Sequence, residues 1–354
     1  MATDALRAMR WITRLTAVLT GLLFVSVVAA RAVGQTVSRA PQVSYLSRAD
    51  SFHGEFLVDL VLYDLRHGLR VNRLSINHIP SQLSWSADGE TLAFYPQPNA
   101  KSITLYTPRT DTLQNVPFED VQPDISRPIV WSPDGTQIAF AAYSLAVAQD
   151  GYALAIEQSS SYIYDLPTAQ LTRIDADWGS VSRYAWSPDG QYFALSARDV
   201  VYAMNAADYA NPQQIGIGTS LVWTQDNATL ISYSPRNEQI GILPLGGEPY
   251  YTSILLGDDL LWAPDASAAV YTALMRARGG FDIWMYTPGN GYTTPIASTS
   301  TYEGQPAWSA DGKWIAYVAT LNGHDDIILY NVERDHRFRL RGTRSRDWNP
   351  VWRP

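Results

Sequence analysis

Through most of the chain, apolar and polar residues alternate in short runs, the pattern of half-buried strands rather than of helices. One run, VWSPDGTQIAF at residues 130–140, has two alternating arms around a turn, and its relatives recur. They are WSADGETLAF from Trp85, WSPDGTQIAF from Trp131, WSPDGQYFAL from Trp186, WTQDNATLIS from Trp223, WAPDASAAVY from Trp262 and WSADGKWIAY from Trp308. A seventh tryptophan, Trp352 in NPVWRP, begins the same phrase. Successive tryptophans are 46, 55, 37, 39, 46 and 44 residues apart, the period of four-stranded propeller blades.

The turn chemistry fits a tight hairpin. In Ser132-Pro133-Asp134-Gly135 the proline presets φ, the aspartate bonds the backbone ahead of it, and the glycine takes the positive φ that follows. Asn227 replaces the glycine in one repeat and tolerates the left-handed region; Ala266 does so less easily, so its hairpin is expected to be the least regular. Because Asp88, Asp134, Asp189, Asp226, Asp265 and Asp311 share one turn position, they read as structural rather than as a catalytic pair.

Each hairpin is followed by a third strand, such as ITLYTP, YIYDLP, DIWMYTP or IILYNV, and a weaker fourth. Such a sheet cannot cover both its faces alone. Burying a tryptophan removes about 150–250 Å² from water, worth at most about 4–6 kcal/mol, and only a neighbouring blade supplies that cover. Stacking must therefore continue until a ring closes. Residues 43–76 read as second, third and fourth strands with no WSPDG strand before them, and NPVWRP reads as a first strand with nothing after it. The prediction is an all-β, seven-bladed propeller over residues 43–354, sealed by the C-terminal strand joining the first blade so that no sheet edge is left open across the ring, and a monomeric body is expected.

WSPDGxxIAF followed by an IYxxD-like strand resembles the WD40-like repeat of TolB-type β-propellers, also seen in the propellers of tricorn and prolyl-oligopeptidase-like proteases. The likeness covers residues 43–354. Two departures limit what it implies: no α/β domain precedes the repeats as in TolB, and no hydrolase domain follows them as in the peptidases. Neither the TolB partner nor peptidase activity carries over.

Composition sharpens the picture at the N-terminus. Arg7, Arg10 and Arg14 precede LTAVLTGLLFVSVVAA, 16 uncharged residues that predict a hydrophobic helix. Residues 1–34 are thus a signal peptide or transmembrane anchor, and 35–42 a short linker. Arg31 fits an uncleaved anchor spanning 15–30; Ala32-Val33-Gly34 fits cleavage near Gly34, giving a secreted or periplasmic body. Both place the propeller outside the cytoplasm. The whole chain carries a formal charge of −8, and the first 34 residues are net positive by three, leaving −11 for the body, which argues against nucleic-acid binding. The absence of cysteine removes disulfides and zinc ribbons.

In this strand order, the second-to-third and fourth-to-first connections line a top face, where candidate binding residues gather. The 55-residue step comes from an insertion at residues 143–161, a second hairpin around Asp150-Gly151 whose Leu145, Val147, Tyr152, Leu154 and Ile156 form an apolar tab. The tab either docks a protein or glycan partner or folds over the central channel. Arg48, Arg198, Arg236, Arg276 and Arg278 fall in top loops, where forked hydrogen bonds suit a carboxylate, although loop arginines are commonly only solvated. Trp178 and Tyr302 lead into inner strands, at the channel mouth or in blade packing. No catalytic or cofactor motif is present, so the leading expectation is a non-enzymatic binding scaffold without cofactors. Some propellers of the resembled family are metal-dependent polysaccharide lyases, and His53, His78 and His324 fall in top connections of adjoining blades, so an enzyme acting on an anionic carbohydrate is the alternative. A basic cluster at the outer turns of the first and last blades, including Arg66, Arg70, Arg337 and Arg339, reads as edge protection or as a contact to lipid headgroups.

Overall fold

A computed structural model describes residues 41–49, 58–97, 101–147, 154–174, 178, 181–257, 260–275, 280–298, 302–340 and 345–354. Over these the chain is an all-β, seven-bladed propeller. The predicted N-terminal helix lies outside the described residues, among which no helix is long and apolar enough to cross a membrane.

Every blade is an antiparallel sheet. Blade 1 places Ser345–Arg353 innermost, then Gln42–Ala49, Val58–Asp64 and Leu69–Ile76. Val43 sits opposite Trp352 and Gln42 opposite Arg353, so the two chain ends share a sheet as the sequence implied. Blade 2 runs from Ile79–Trp85 to Thr112–Pro117, blade 4 from Val181–Trp186 to Gln213–Ile217, and blade 5 from Ser220–Trp223 to Tyr250–Ser253. Blade 6 runs from Leu261–Trp262 to Tyr292–Ala297, and blade 7 from Glu303–Trp308 to His336–Arg339. In blade 3 the inner strand is split into Val121–Pro123 and Val130–Trp131, both paired with Gln137–Val147.

Buried apolar side chains form seven clusters, each spanning two neighbouring blades. An open stack of seven sheets would have six such interfaces; the seventh is the packing of Val43, Tyr45 and Trp352 against Ala316, Val318 and Leu329. The phased tryptophans also link the blades by hydrogen bonds. The indole of Trp131 donates to the Ser84 carbonyl at 3.0 Å, Trp223 to Ala185 at 3.1 Å, Trp308 to Leu261 at 2.9 Å and Trp352 to Ala307 at 3.0 Å. Each acceptor immediately precedes the tryptophan of the previous blade. Trp85 instead reaches Ser44 Oγ, and the indole nitrogens of Trp186 and Trp262 are buried without a partner.

The WSPDG turns form as their chemistry predicts. Ser132 Oγ donates to Asp134 Oδ1, which also accepts the Thr136 N–H, and the Gln137 N–H returns to Ser132 Oγ. The same bonds recur in the turns beginning at Ser86, Ser187 and Ser309, so these aspartates are occupied by their own backbone. Ala266 overturns one expectation. At φ 60° it closes its turn with the regular bonds, Ala266 N–H to Ala263 O and Ala263 N–H to Ala268 O. Asp265, which accepts from the Ser267 N–H and hydroxyl, holds the backbone there despite the methyl group.

Candidate functional site

The top face is where this propeller departs most from seven equal wedges. Gln137–Val147 and Leu154–Asp165 are about twice as long as the corresponding strands of blade 4, Tyr192–Ala197 and Val200–Asn205. Leu145 pairs with Ile156, Ala146 with Ala155 and Val147 with Leu154, beyond the last residue that bonds the inner strand, Ser144. The fourth strand begins to pair only at Ser161. The result is a two-stranded arm that, among the described residues, has no strand on either flank. Tyr152 lies outside the described residues.

The arginines expected in the top loops fall into separate places. Arg198 and Asp199 form the two-residue turn joining Tyr192–Ala197 to Val200–Asn205, at φ 51° and 69°. Hairpins with this geometry favour Asn-Gly, and an arginine there is strained. Asp199 Oδ2 accepts from Ser234 Oγ at 2.8 Å and from Asn237 Nδ2 at 3.0 Å, tying this turn to the one carrying Arg236 in the next blade. Arg198 and Arg236 are both exposed. Arg48 is exposed as well, but in blade 1, three blades away around the ring. Arg276 and Arg278 lie outside the described residues.

Of the two aromatics, Trp178 belongs to blade packing, since its ring lies 5.1 Å from Tyr202 against the core between blades 3 and 4. Tyr302 stands at the rim, 42% exposed. Two of the three histidines named for a metal site, His78 and His324, are described. His53 is outside the described residues, and among those described no group of three or more His, Asp or Glu side chains forms such a cluster. His78 is half-buried, with Nδ1 3.0 Å from Asn77 Oδ1, its ring against Phe94, and Nε2 buried without a partner; burial lowers its pKa below 6.5. His324 starts the third strand of blade 7, opposite Leu321.

Sequence reading missed a set of buried carboxylates near the top of blades 6, 7 and 1. Asp282, Asp326 and Asp59 begin third strands, and Glu303 and Asp347 lie on inner strands; all five are buried. Three are held within their own blade, Asp282 by Ser298 at 2.8 Å, Asp59 by Ser75 at 2.6 Å and Asp326 by Arg339 at 2.7 Å. Counting back from the tryptophans would have found the inner-strand pair, because Glu303 and Asp347 each lie five residues before one. The same count would have found Arg346, six residues before Trp352, which matches Tyr302 before Trp308. The basic cluster at the outer turns is largely engaged. Arg339 pairs with Asp326, and Arg337 stacks over Tyr330 at 5.8 Å.

On the bottom face a cleft of about 490 Å³ opens between the turns of blades 3 and 4, lined by Asp134, Asp189, Gln137 and Trp186. Its polar groups hold the fold, since Gln137 links Tyr209 to Asp165 and both aspartates cap turns.

No model of a known protein family matches the chain. An uncharacterised protein of Agrobacterium fabrum is 26% identical over 176 residues, which are 47% of this chain and 59% of that relative. The chain thus spans less than two thirds of the curated relative it matches. Among solved structures, TolB from Acinetobacter baumannii is similar over 89% of this chain and 67% of its own, with 14% identity and a TM-score of 0.52. The chain has the TolB-type propeller fold. An oligogalacturonate lyase from Vibrio parahaemolyticus is similar over 82% of this chain and 92% of its own, with 13% identity and a TM-score of 0.61. A second oligogalacturonate lyase, solved in complex with manganese, covers 77% of this chain and 85% of its own, with 15% identity and a TM-score of 0.59. At such identities the likeness concerns the fold.

Proposed function

We propose that this chain is an exported propeller, tethered to the membrane by residues 15–30, that presents its top face to a protein or glycan partner and performs no chemistry of its own. The observation that carries this reading is the two-stranded arm of residues 145–147 and 154–156, paired beyond the ring and, among the described residues, flanked by no other strand. Such an arm offers backbone edges that a partner strand completes. The tether is supported by the basic and then apolar N-terminal sequence, as is the domain plan of 1–34, 35–42 and 43–354. Intact-mass measurement of the exported protein tests the tether, since loss of the first 34 residues replaces it with a free body. A photo-crosslinker placed in the arm, with partners compared between the wild type and a deletion of 145–156, tests the face. Partners that persist unchanged without the arm defeat the reading.

A second reading is favoured by the two lyases, whose TM-scores of 0.61 and 0.59 exceed the 0.52 of TolB. In it, the top funnel acts on an anionic carbohydrate with a metal. Incubation with oligogalacturonate and manganese, followed by ultraviolet absorbance of an unsaturated product, decides between them.

A further inference from the structure

The bottom face departs from seven equal wedges at the boundary of blades 3 and 4. The connection between the third and fourth strands of blade 4 is seven residues long, 206–212, where the other blades use four or five. It is folded back on its own blade by the Ala206 N–H on the Gln191 carbonyl at 2.9 Å and the Ala207 N–H on Asn205 Oδ1 at 2.8 Å. Tyr209, at φ 55°, turns inward, and its hydroxyl donates to Gln137 of blade 3. Its ring meets Trp186 edge-on, with centroids 6.0 Å apart at 84°. Trp186 is not seated as its counterparts are. Trp131, Trp223 and Trp352 are buried and bonded to the blade before them, whereas Trp186 is half-buried and its indole N–H has no partner.

That boundary holds the cleft of about 490 Å³, a size within the roughly 300–1,000 Å³ of small-molecule sites. Trp186 lends it the part of the indole that the blades leave uncovered, beside the Pro133 ring and the methyl group of Ala207. The two turns meet there, since a methyl group on Gly190 would stand 3.8 Å from Pro133 Cδ. The bonds that hold the fold do not use up the polar atoms of the cleft. Asp189 accepts its turn bonds on Oδ1, from the Ser187 hydroxyl and the Gln191 N–H, and its Oδ2 has no hydrogen-bond partner among the described residues. The side-chain amide of Gln191 and Nδ2 of Asn205 are likewise without one. All three residues are exposed and line the cleft. Asp189 Oδ2 and Gln191 Oε1 accept, while Gln191 Nε2 and Asn205 Nδ2 donate, so one small lining offers both kinds of hydrogen bond.

We infer that this cleft is a binding site for a neutral sugar, held with the C–H face of its ring on Trp186 and Pro133 and its hydroxyls among Asp189, Gln191 and Asn205. This face is opposite the one that carries the arm, so the site stands apart from the top-face reading. A hydroxyl donates and accepts at once, which matches a lining that offers both, whereas an ammonium group has no acceptor for the amide N–H groups. An anion is refused. None of the residues described around the cleft is a lysine or arginine, and the carboxylates of Asp134 and Asp189 repel negative charge. A purely apolar ligand fares no better, because it would cover the carboxylates and amides without bonding them. A sugar ring brings both an apolar face for the indole and polar groups for the rest.

The test uses the full chain in a sugar-free polyoxyethylene detergent, with binding read by saturation-transfer NMR. The probes are trisaccharides of glucose, galactose, mannose and N-acetylglucosamine, with trigalacturonate and spermidine as the anionic and cationic controls. At least one neutral probe is expected to bind saturably, with the strongest transfer to its ring C–H protons, and neither control to displace it. Gln191→Ala is expected to weaken that probe about two- to tenfold, and Ala207→Phe, which fills the cleft, at least about tenfold. Both side chains are exposed, so circular dichroism is expected to stay unchanged, and deletion of 145–156 to leave binding as it was. No saturable neutral probe up to about 10 mM overturns the site, as does binding that neither substitution weakens. Spermidine bound more tightly than every neutral probe, and lost in Asp189→Asn, overturns it in favour of an organic cation. Trigalacturonate bound alone overturns it and leaves the lyase-like reading of the top funnel standing. A neutral probe lost on deleting 145–156 but kept in Ala207→Phe moves the sugar to the arm and overturns the cleft.

Discussion

The guanidinium of Arg353 lies over the indole of Trp85, 5.1 Å from the ring centroid, and so joins the last strand of the chain to the first complete repeat. Its Nε donates to the Gly89 carbonyl and its Nη1 to Gln42 Oε1 at 2.8 Å. One side chain thus touches blade 2 through its turn and its tryptophan, and blade 1 through the neighbouring strand. Arg353→Ala is expected to destabilise the ring by about 1–3 kcal/mol, from one cation–π contact and two hydrogen bonds, read as a lower urea midpoint. Arg353→Lys keeps the charge but loses the fork and is expected to fall between the two.

Removing residues 345–354 altogether exposes the full edge of Gln42–Ala49 and uncovers the cluster that holds Val43, Tyr45 and Leu329. The truncated chain is expected to associate through that edge, and a synthetic peptide of the missing strand to reverse that association, as followed by light scattering. A truncated chain that scatters light as the wild type does and is as stable rejects the closure.

The bottom turns make the ring sensitive to acid. The Thr224 hydroxyl, followed by the Ala228 N–H, holds the Asp226 carboxyl down at about 2, below its ordinary 3.8. Asp189 is lowered in the same way, first by the Ser187 hydroxyl and then by the Gln191 N–H. A folded value below the unfolded one contributes stability that is present in full above about 4 and is lost as pH falls towards 2. Asp226→Asn is expected to flatten that part of the pH profile of the urea midpoint. An unchanged profile shows that the turn carboxylate is not linked to folding.

How far the sequence was legible follows from where repetition exists. Trp131, Trp186, Trp223 and Trp308 stand in one phase because every blade interface asks for the same bulky group, and that repetition made the blade count and closure readable from Val43 and Trp352 alone. The candidate surface is different. Leu274 and Phe281 face each other in blade 6 and Phe281 meets Tyr302 of blade 7, and nothing near any of them in sequence refers to the others. Arg198 and Arg236 stood in different repeats, and only the Asp199 bonds to Ser234 and Asn237 show that their turns join. Ala266 misled for the converse reason. Its methyl group argued against positive φ, whereas the bonds to Asp265 and across the turn outweigh that strain.

His78 is a further point of pH dependence, at milder acidity. Burial alone lowers its pKa from 6.5, and its Nε2 has no partner. A lowered folded value favours the neutral ring, so the stability it contributes is complete above about 6.5 and is lost as pH falls below that. His78→Phe keeps the contact with Phe94 and removes the buried unpaired nitrogen. The variant is expected to be at least as stable as wild type at neutral pH and to lose less stability between pH 7 and pH 5, measured by urea midpoints. A steeper loss in the variant rejects this assignment.

The turn at Arg198 and Asp199 separates local strain from tertiary fastening. Both residues have positive φ, and only Asp199 is bound to the next blade, through Ser234 and Asn237. Arg198 is exposed, and the arginine gains nothing from the left-handed backbone it occupies. Arg198→Asn introduces a residue suited to that conformation and is expected to stabilise the protein by about 0.5–1 kcal/mol. Asp199→Ala keeps the strain, removes two bonds between blades 4 and 5 and is expected to cost about 1–3 kcal/mol. Opposite signs from adjacent residues of one turn, measured by chemical denaturation, follow only if the aspartate pins a backbone that the arginine alone does not favour. Arg198→Asn that destabilises instead means that the arginine side chain supplies a stabilising contact, and the turn then belongs among the groups that hold the top face together.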